Sequence, residues 1–135
     1  MKDWLQALRD GALSGAVASL TSTAALAACG NRENKSVPAP TNAISHWIWG
    51  ERAARQDDLS LRYTGIGYAI HHASATLWAV LYEKWFGKLG EQRALLPAVG
   101  GAATVAALAC TVDYTITPRR LRPGYEKRLS RPALV

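Results

Sequence analysis

Three long stretches of this chain carry no Asp, Glu, Lys or Arg, and they constrain its fold more than any other feature. Residues 11–31, 63–82 and 94–112 are uncharged runs of 21, 20 and 19 positions. A helix on the surface of a soluble protein carries polar and charged residues along its outer face. A bilayer core instead asks for about 20 uncharged, mostly apolar residues in a row. The pattern predicts an all-α membrane protein with about three transmembrane helices, near residues 7–29, 63–85 and 94–114. At 135 residues the chain makes a single membrane domain, residues 1–135. The competing architecture is a soluble bundle of alanine-rich helices. The windows are only weakly apolar: the first has Leu13, Val17, Leu20 and Leu26 as its larger apolar residues. Each leucine favours insertion by only about 0.3–0.6 kcal/mol, so such helices depend on their neighbours.

Two of the windows carry small residues every fourth position, the spacing that lets membrane helices approach closely. Gly11, Gly15 and Ser19 form one such line, and Ala98, Ala102 and Ala106 the other. The first window ends in Leu26-Ala27-Ala28-Cys29, which matches a lipoprotein cleavage box and makes Cys29 a candidate for lipidation. Against that reading, the head of the segment contains Asp3 and Asp10, and two further membrane segments follow.

Between the first two windows, Pro38 and Pro40 disfavour helix in a polar link. Thr41 or Asn42 then caps a short helix, about 42–55, with Ile44, Trp47, Ile48 and Trp49 followed by Glu51, Arg52 and Arg55. That composition predicts an interfacial helix lying among lipid headgroups. The tail, residues 115–135, holds six of the chain's sixteen basic residues: Arg119, Arg120, Arg122, Lys127, Arg128 and Arg131. Basic clusters beside a membrane helix attract anionic lipid headgroups at roughly 1 kcal/mol per residue, and they also act as a positive-inside signal. With three spans, the amino terminus and the 83–93 loop share one side and carry five basic residues; the other side carries eleven. This places the amino terminus outside and the basic tail in the cytoplasm, in a bacterial inner membrane. The net charge of +6 also raises nucleic-acid binding. No zinc-ligand pattern, RNA-binding signature or basic recognition helix accompanies it, so membrane lipid is the expected partner and nucleic acid is not.

The chemistry-bearing residues of the middle window are His71 and His72. They lie about 100° apart on a helix. Tyr68, His72 and Thr76 form a polar stripe that should face a bundle interior, because lipid cannot satisfy it. Imidazole ligates haem and transition metals, which makes His71 and His72 candidate haem or metal ligands. No third ligand lies at their depth, so no cofactor is required. The simpler alternative is that one histidine hydrogen-bonds across helices. A proton or ion path is a third reading. No serine or threonine has a neighbouring base–acid set and no phosphate-binding glycine loop appears, so nothing points to an enzyme.

Three local patterns bear a likeness to known proteins. They are Asn42-Ala43-Ile44-Ser45-His46-Trp47-Ile48-Trp49-Gly50, Gly67-Tyr68-Ala69-Ile70-His71-His72-Ala73-Ser74, and Asp113-Tyr114 with Pro118-Arg119-Arg120-Leu121-Arg122-Pro123-Gly124-Tyr125-Glu126. Together they resemble a group of uncharacterised small multi-pass inner-membrane proteins of Gram-negative bacteria. The resemblance implies a helical membrane protein, weighs against lipid attachment at Cys29, and implies a further apolar helix beyond the basic tail. It brings no activity. The function expected is structural or accessory, with packing into a homo-oligomer or a larger membrane complex.

Overall fold

The computed structural model describes residues 1–134. Helices and turns make up its regular structure, and there is no strand among the described residues. The α-helices described are, in order, α1 (Trp4–Asn34), α2 (Ala39–Ile44), α3 (His46–Trp49), α4 (Ile66–Glu91) and α5 (Leu95–Thr111). A π-helical turn, Leu61–Gly65, leads into α4, and a second, Val112–Ile116, follows α5. The tail forms three short 3-10 turns. The chain divides into two units, Met1–Ser19 with Ala73–Ile116, and Leu20–His72 with Thr117–Val135.

In the first unit, the opening half of α1 runs antiparallel to the closing half of α4. Gly11 lies on Val80 and Gly15 on Thr76, so closely that a methyl group at either glycine would sit within 2.6 Å of the α4 backbone. Larger residues there would force the helices apart, which is how small residues set interhelical distance. α4 turns into α5 through a short loop. Arg93 adopts a left-handed φ of 54°. The Ala94 N–H then donates to the Leu89 carbonyl and the Arg93 N–H to the Gly90 carbonyl, each at 3.0 Å, which satisfies the last carbonyls of α4. α5 packs back on α4 with Gly101 under the Phe86 ring. Tyr82 donates to the Ala98 carbonyl at 3.3 Å.

In the second unit, the centre is α2, all six of whose residues are buried. Asn42 is its hub. The side-chain amide donates to the carbonyls of Gln56 and Asp58, both at 3.0 Å, and its oxygen accepts from the Thr64 hydroxyl at 2.6 Å. Buried amides demand such partners, because an unmade hydrogen bond there costs about 1–3 kcal/mol. The start of α4 rests directly on α2: a methyl group at Gly67 would lie 2.0 Å from the Thr41 carbonyl oxygen.

Several expectations change. α1 continues into the predicted polar link as far as Asn34, and Lys35, at φ 56°, follows its end. Neither Thr41 nor Asn42 caps a helix; α2 starts at Ala39 with Pro40 in its first turn, where proline is tolerated. The expected continuous helix over 42–55 is broken into α2, α3 and a 3-10 turn, Gly50–Arg55, with Gly50 at φ 63°. Its opening half forms core instead of lying flat on a surface, because Asn42, Ser45 and His46 find hydrogen-bond partners inside the unit.

Among the described residues, two helices are long and apolar enough to cross a membrane: α1, and α5 continued through its π-turn, Leu95–Ile116. α4 is not among them. It is long enough, but His71, His72 and several tyrosines and tryptophans dilute its apolar content. Absence of charge is a weaker condition than hydrophobicity, and the three predicted spans reduce to two helices by this measure. Only 11% of the apolar window in each of the two is buried.

The hub makes a testable claim. Asn42→Leu should destabilise the protein by about 3 kcal/mol or more, since three partners lose their bonds, and Thr64→Val by about 1 kcal/mol. Urea titration in mild detergent, followed by circular dichroism, checks the order of the two. Equal, small effects would remove Asn42 from the centre of the unit.

Candidate functional site

The histidines separate in role. In the second unit, the His71 Nε2 lies 2.7 Å from the Ser22 hydroxyl on α1. One hydrogen bond thus joins α1 to α4 through one of the two ring nitrogens of His71. His72 stands beside Tyr68, with ring centroids 5.8 Å apart and planes tilted by 33°. Among the described residues, no group of three or more His, Cys, Asp or Glu is arranged to hold a metal ion. Thr76 belongs to the first unit, where its buried hydroxyl packs against Gly15 and has no hydrogen-bond partner. The stripe predicted from Tyr68, His72 and Thr76 therefore meets different surroundings along its length.

The small-residue lines also divide. Gly11 and Gly15 are buried against α4, and Ser19, wholly buried, donates to the Ala16 carbonyl at 3.0 Å. On α5 the packed face runs through Ala98, Gly101 and Val105, while Ala102 and Ala106 are exposed. Both cysteines are free thiols. Cys29 is half-buried within α1, and Cys110 is exposed on α5.

The basic tail is a strap more than a loose cluster. Arg128 reaches three groups of the 34–57 segment: the Asn34 side-chain oxygen at 3.1 Å, the Ala54 carbonyl at 2.9 Å and the Asp57 carboxylate at 2.5 Å. Asn34 returns a bond to the Arg128 carbonyl at 2.7 Å. Ser130 donates twice to Glu33, from its N–H and its hydroxyl. Lys127 pairs with Glu51, and that contact holds the Glu51 carboxyl below the usual carboxylate range. The Trp47 indole donates to the Arg122 carbonyl at 2.9 Å. Of the six basic residues expected to face lipid, Lys127 and Arg128 are thus committed to acidic partners within the chain. Arg119, Arg120 and Arg131 are exposed.

Sequence reasoning missed the cluster around Lys2. Its ammonium, 6% exposed, lies 2.8 Å from Asp10, 2.8 Å from Glu83 and 2.9 Å from Glu91. Lys2 and Lys84 also exchange backbone and side-chain bonds, and Lys84 sits 4.8 Å from the centre of the Trp4 ring. The only signal was local: Lys2 and Asp10 lie eight residues apart at the start of a helix, with no hint of Glu83. Burial works against the charge on Lys2, but the hydrogen bonds it donates to Asp10, Glu83 and Glu91 outweigh it and hold its pKa above the usual lysine range. The arrangement is an internal clamp whose donors and acceptors are already matched.

Comparison with protein-family models, with curated proteins and with solved structures finds no match.

The clamp predicts a sign for pH dependence. A raised folded pKa means that Lys2 contributes its full stabilisation below its ordinary value near 10.5 and loses it only as pH rises through the higher folded value. Lys2→Met should cost about 3–5 kcal/mol at neutral pH, because Glu83, 11% exposed, is left without its counter-charge. Thermal unfolding from pH 7 to 10, over which the difference between native protein and variant should stay constant, checks both. An unchanged melting temperature in the variant would show that the clamp contributes nothing.

Proposed function

We propose that this chain is a small integral membrane protein of structural or accessory type, which associates through the outer face of α5 with a second copy of itself. The observation that carries the reading is the exposure of apolar surface on helices of spanning length. Leu13 and Val17 on α1, and Leu95, Leu96, Val99 and Leu108 on α5, stand 45–85% exposed. A core helix of a soluble protein buries most of such a stretch, whereas α1 and α5 bury 11%. In water that surface would be an aggregation liability; in lipid it needs no cover.

In this reading α1 and α5 cross the membrane, and α4 crosses beside them as a shielded third helix. Gly15 brings α1 onto α4 at Thr76, so that hydroxyl faces a neighbouring helix. The bond between His71 and Ser22 satisfies an imidazole that lipid could not. Three crossings put the side with eleven basic residues in the cytoplasm of a bacterial inner membrane. The likeness to small multi-pass inner-membrane proteins of Gram-negative bacteria agrees with this arrangement.

The association surface is the line Ala102, Ala106 and Cys110, three exposed small residues at four-residue spacing on α5. Mild oxidation of native membranes should give a covalent dimer through Cys110, lost in Cys110→Ser and kept in Cys29→Ser. Ala102→Leu with Ala106→Leu should reduce the dimer at least tenfold in native mass spectrometry. A monomer under both measurements would overturn self-association through α5.

A further inference from the structure

A cavity of about 450 Å³ opens in the second unit between the tail and the segment around α3. His46 lines it, together with Arg119, Arg120 and Arg122. Glu51, Glu126 and Lys127 complete its charged lining. Four basic side chains face two acidic ones, and the acids have partners already. Glu51 is paired with Lys127, and Glu126 accepts from the Gly124 N–H at 2.7 Å. Arg119 and Arg120 are exposed and make no ion pair among the described residues. The cavity therefore offers surplus positive charge.

The buried group is His46, 3% exposed. Its Nδ1 lies 2.9 Å from the Ala43 carbonyl oxygen. A carbonyl can only accept, so Nδ1 carries a hydrogen, and the neutral tautomer with that hydrogen has its lone pair on Nε2. Nε2 is buried and has no partner within the protein. Gly124 holds the ring in this position: at φ 97° its backbone closes over the imidazole, and a methyl group there would lie 2.5 Å from Nδ1. A buried acceptor without a donor is costly, and a ligand that brings a donor recovers that cost.

We propose that this cavity binds a phosphate group with a neighbouring hydroxyl, the arginines Arg119 and Arg120 neutralising the phosphate while His46 Nε2 accepts from the hydroxyl. Planar guanidinium groups match phosphate oxygens in pairs. A hydroxylated phosphodiester headgroup has both features, as has a soluble glycerol phosphate. The headgroup source rests on the membrane reading above. Arg119 lies three residues beyond Ile116, the last residue of the candidate span, and chain reach holds it within about 11 Å of that end.

The experiment uses the full chain in neutral detergent and two lipids of equal charge. Phosphatidylglycerol carries hydroxyls beyond its phosphate; phosphatidylmethanol carries none. Native mass spectrometry should show phosphatidylglycerol retained about fivefold better, the size of one hydrogen bond of about 1 kcal/mol. His46→Phe should erase that preference while phosphatidylmethanol binding stays. Arg119→Gln with Arg120→Gln, both at exposed positions that leave the fold intact, should weaken both lipids at least tenfold. Equal retention of the two lipids by the native protein, or undiminished binding in the arginine variant, would overturn the site. Soluble glycerol 3-phosphate supplies the second arm. If it displaces the lipid, the site takes free phosphate esters; if the lipid stays, the site reads the membrane surface. Binding of glycerol phosphate that depends on His46 in a protein found free of membranes would sink the membrane reading and keep the site.

Discussion

One buried amide organises the second unit. Asn42 joins the carbonyls of Gln56 and Asp58 to the Thr64 hydroxyl, and so ties α2 to the loop that precedes α4 and to its π-helical entry. With α2 fixed, Gly67 can sit against the Thr41 carbonyl, and α3 starts where the Ser45 hydroxyl donates to the Asn42 carbonyl at 2.7 Å. The tail then has a surface to fold onto. Arg128 reads the 34–57 segment through Asn34, Ala54 and Asp57, and Gly124 closes over His46. The bonds of Asn42, Ser45 and Arg128 each put a polar group against a partner, in a unit whose wholly buried side chains include Asn42, Pro40 and Ser45. Polar satisfaction, more than apolar volume, specifies this half of the chain.

The first unit uses a different device. Its helices approach through glycine, where Gly11 and Gly15 meet α4 and Gly101 meets Phe86. It is closed at one end by the Lys2 clamp. An ammonium surrounded by three carboxylates costs desolvation, and the matched hydrogen bonds offset it. The outward faces of α1 and α5 remain apolar and exposed. The two devices suit the two parts of the chain: close backbone contact where residues are small, and polar networks where residues are charged.

Much of this was legible in the sequence, and the gaps have physical causes. The long helices showed as charge-free windows, and α1 and α5 pass the stricter test of length and hydropathy. α4 does not, because histidine and tyrosine are uncharged without being apolar. The break of the tryptophan-rich helix was hidden, since Ser45 and Gly50 act only through bonds and dihedral angles. The tail's arginines looked unpaired because their acidic partners are distant in sequence: Arg128 and Asp57 are 71 residues apart. Lys2 and Glu83 are 81 apart for the same reason. Periodicity sees one element at a time, and these pairs exist only between elements. The histidine pair drew notice by its oddity, yet His46, a lone residue in an ordinary-looking segment, is the one with a buried, unpartnered nitrogen.

The central claim is that α1 and α5 owe their exposed apolar faces to lipid. Hydrogen exchange of the protein in bilayer discs, read peptide by peptide, tests it directly. The account predicts that the central amides of both helices remain unexchanged after hours, while the segment around Glu51 and Arg52 exchanges far sooner. Rapid exchange along Leu95–Thr111, or recovery of the protein in the soluble fraction after alkaline carbonate washing, would contradict it.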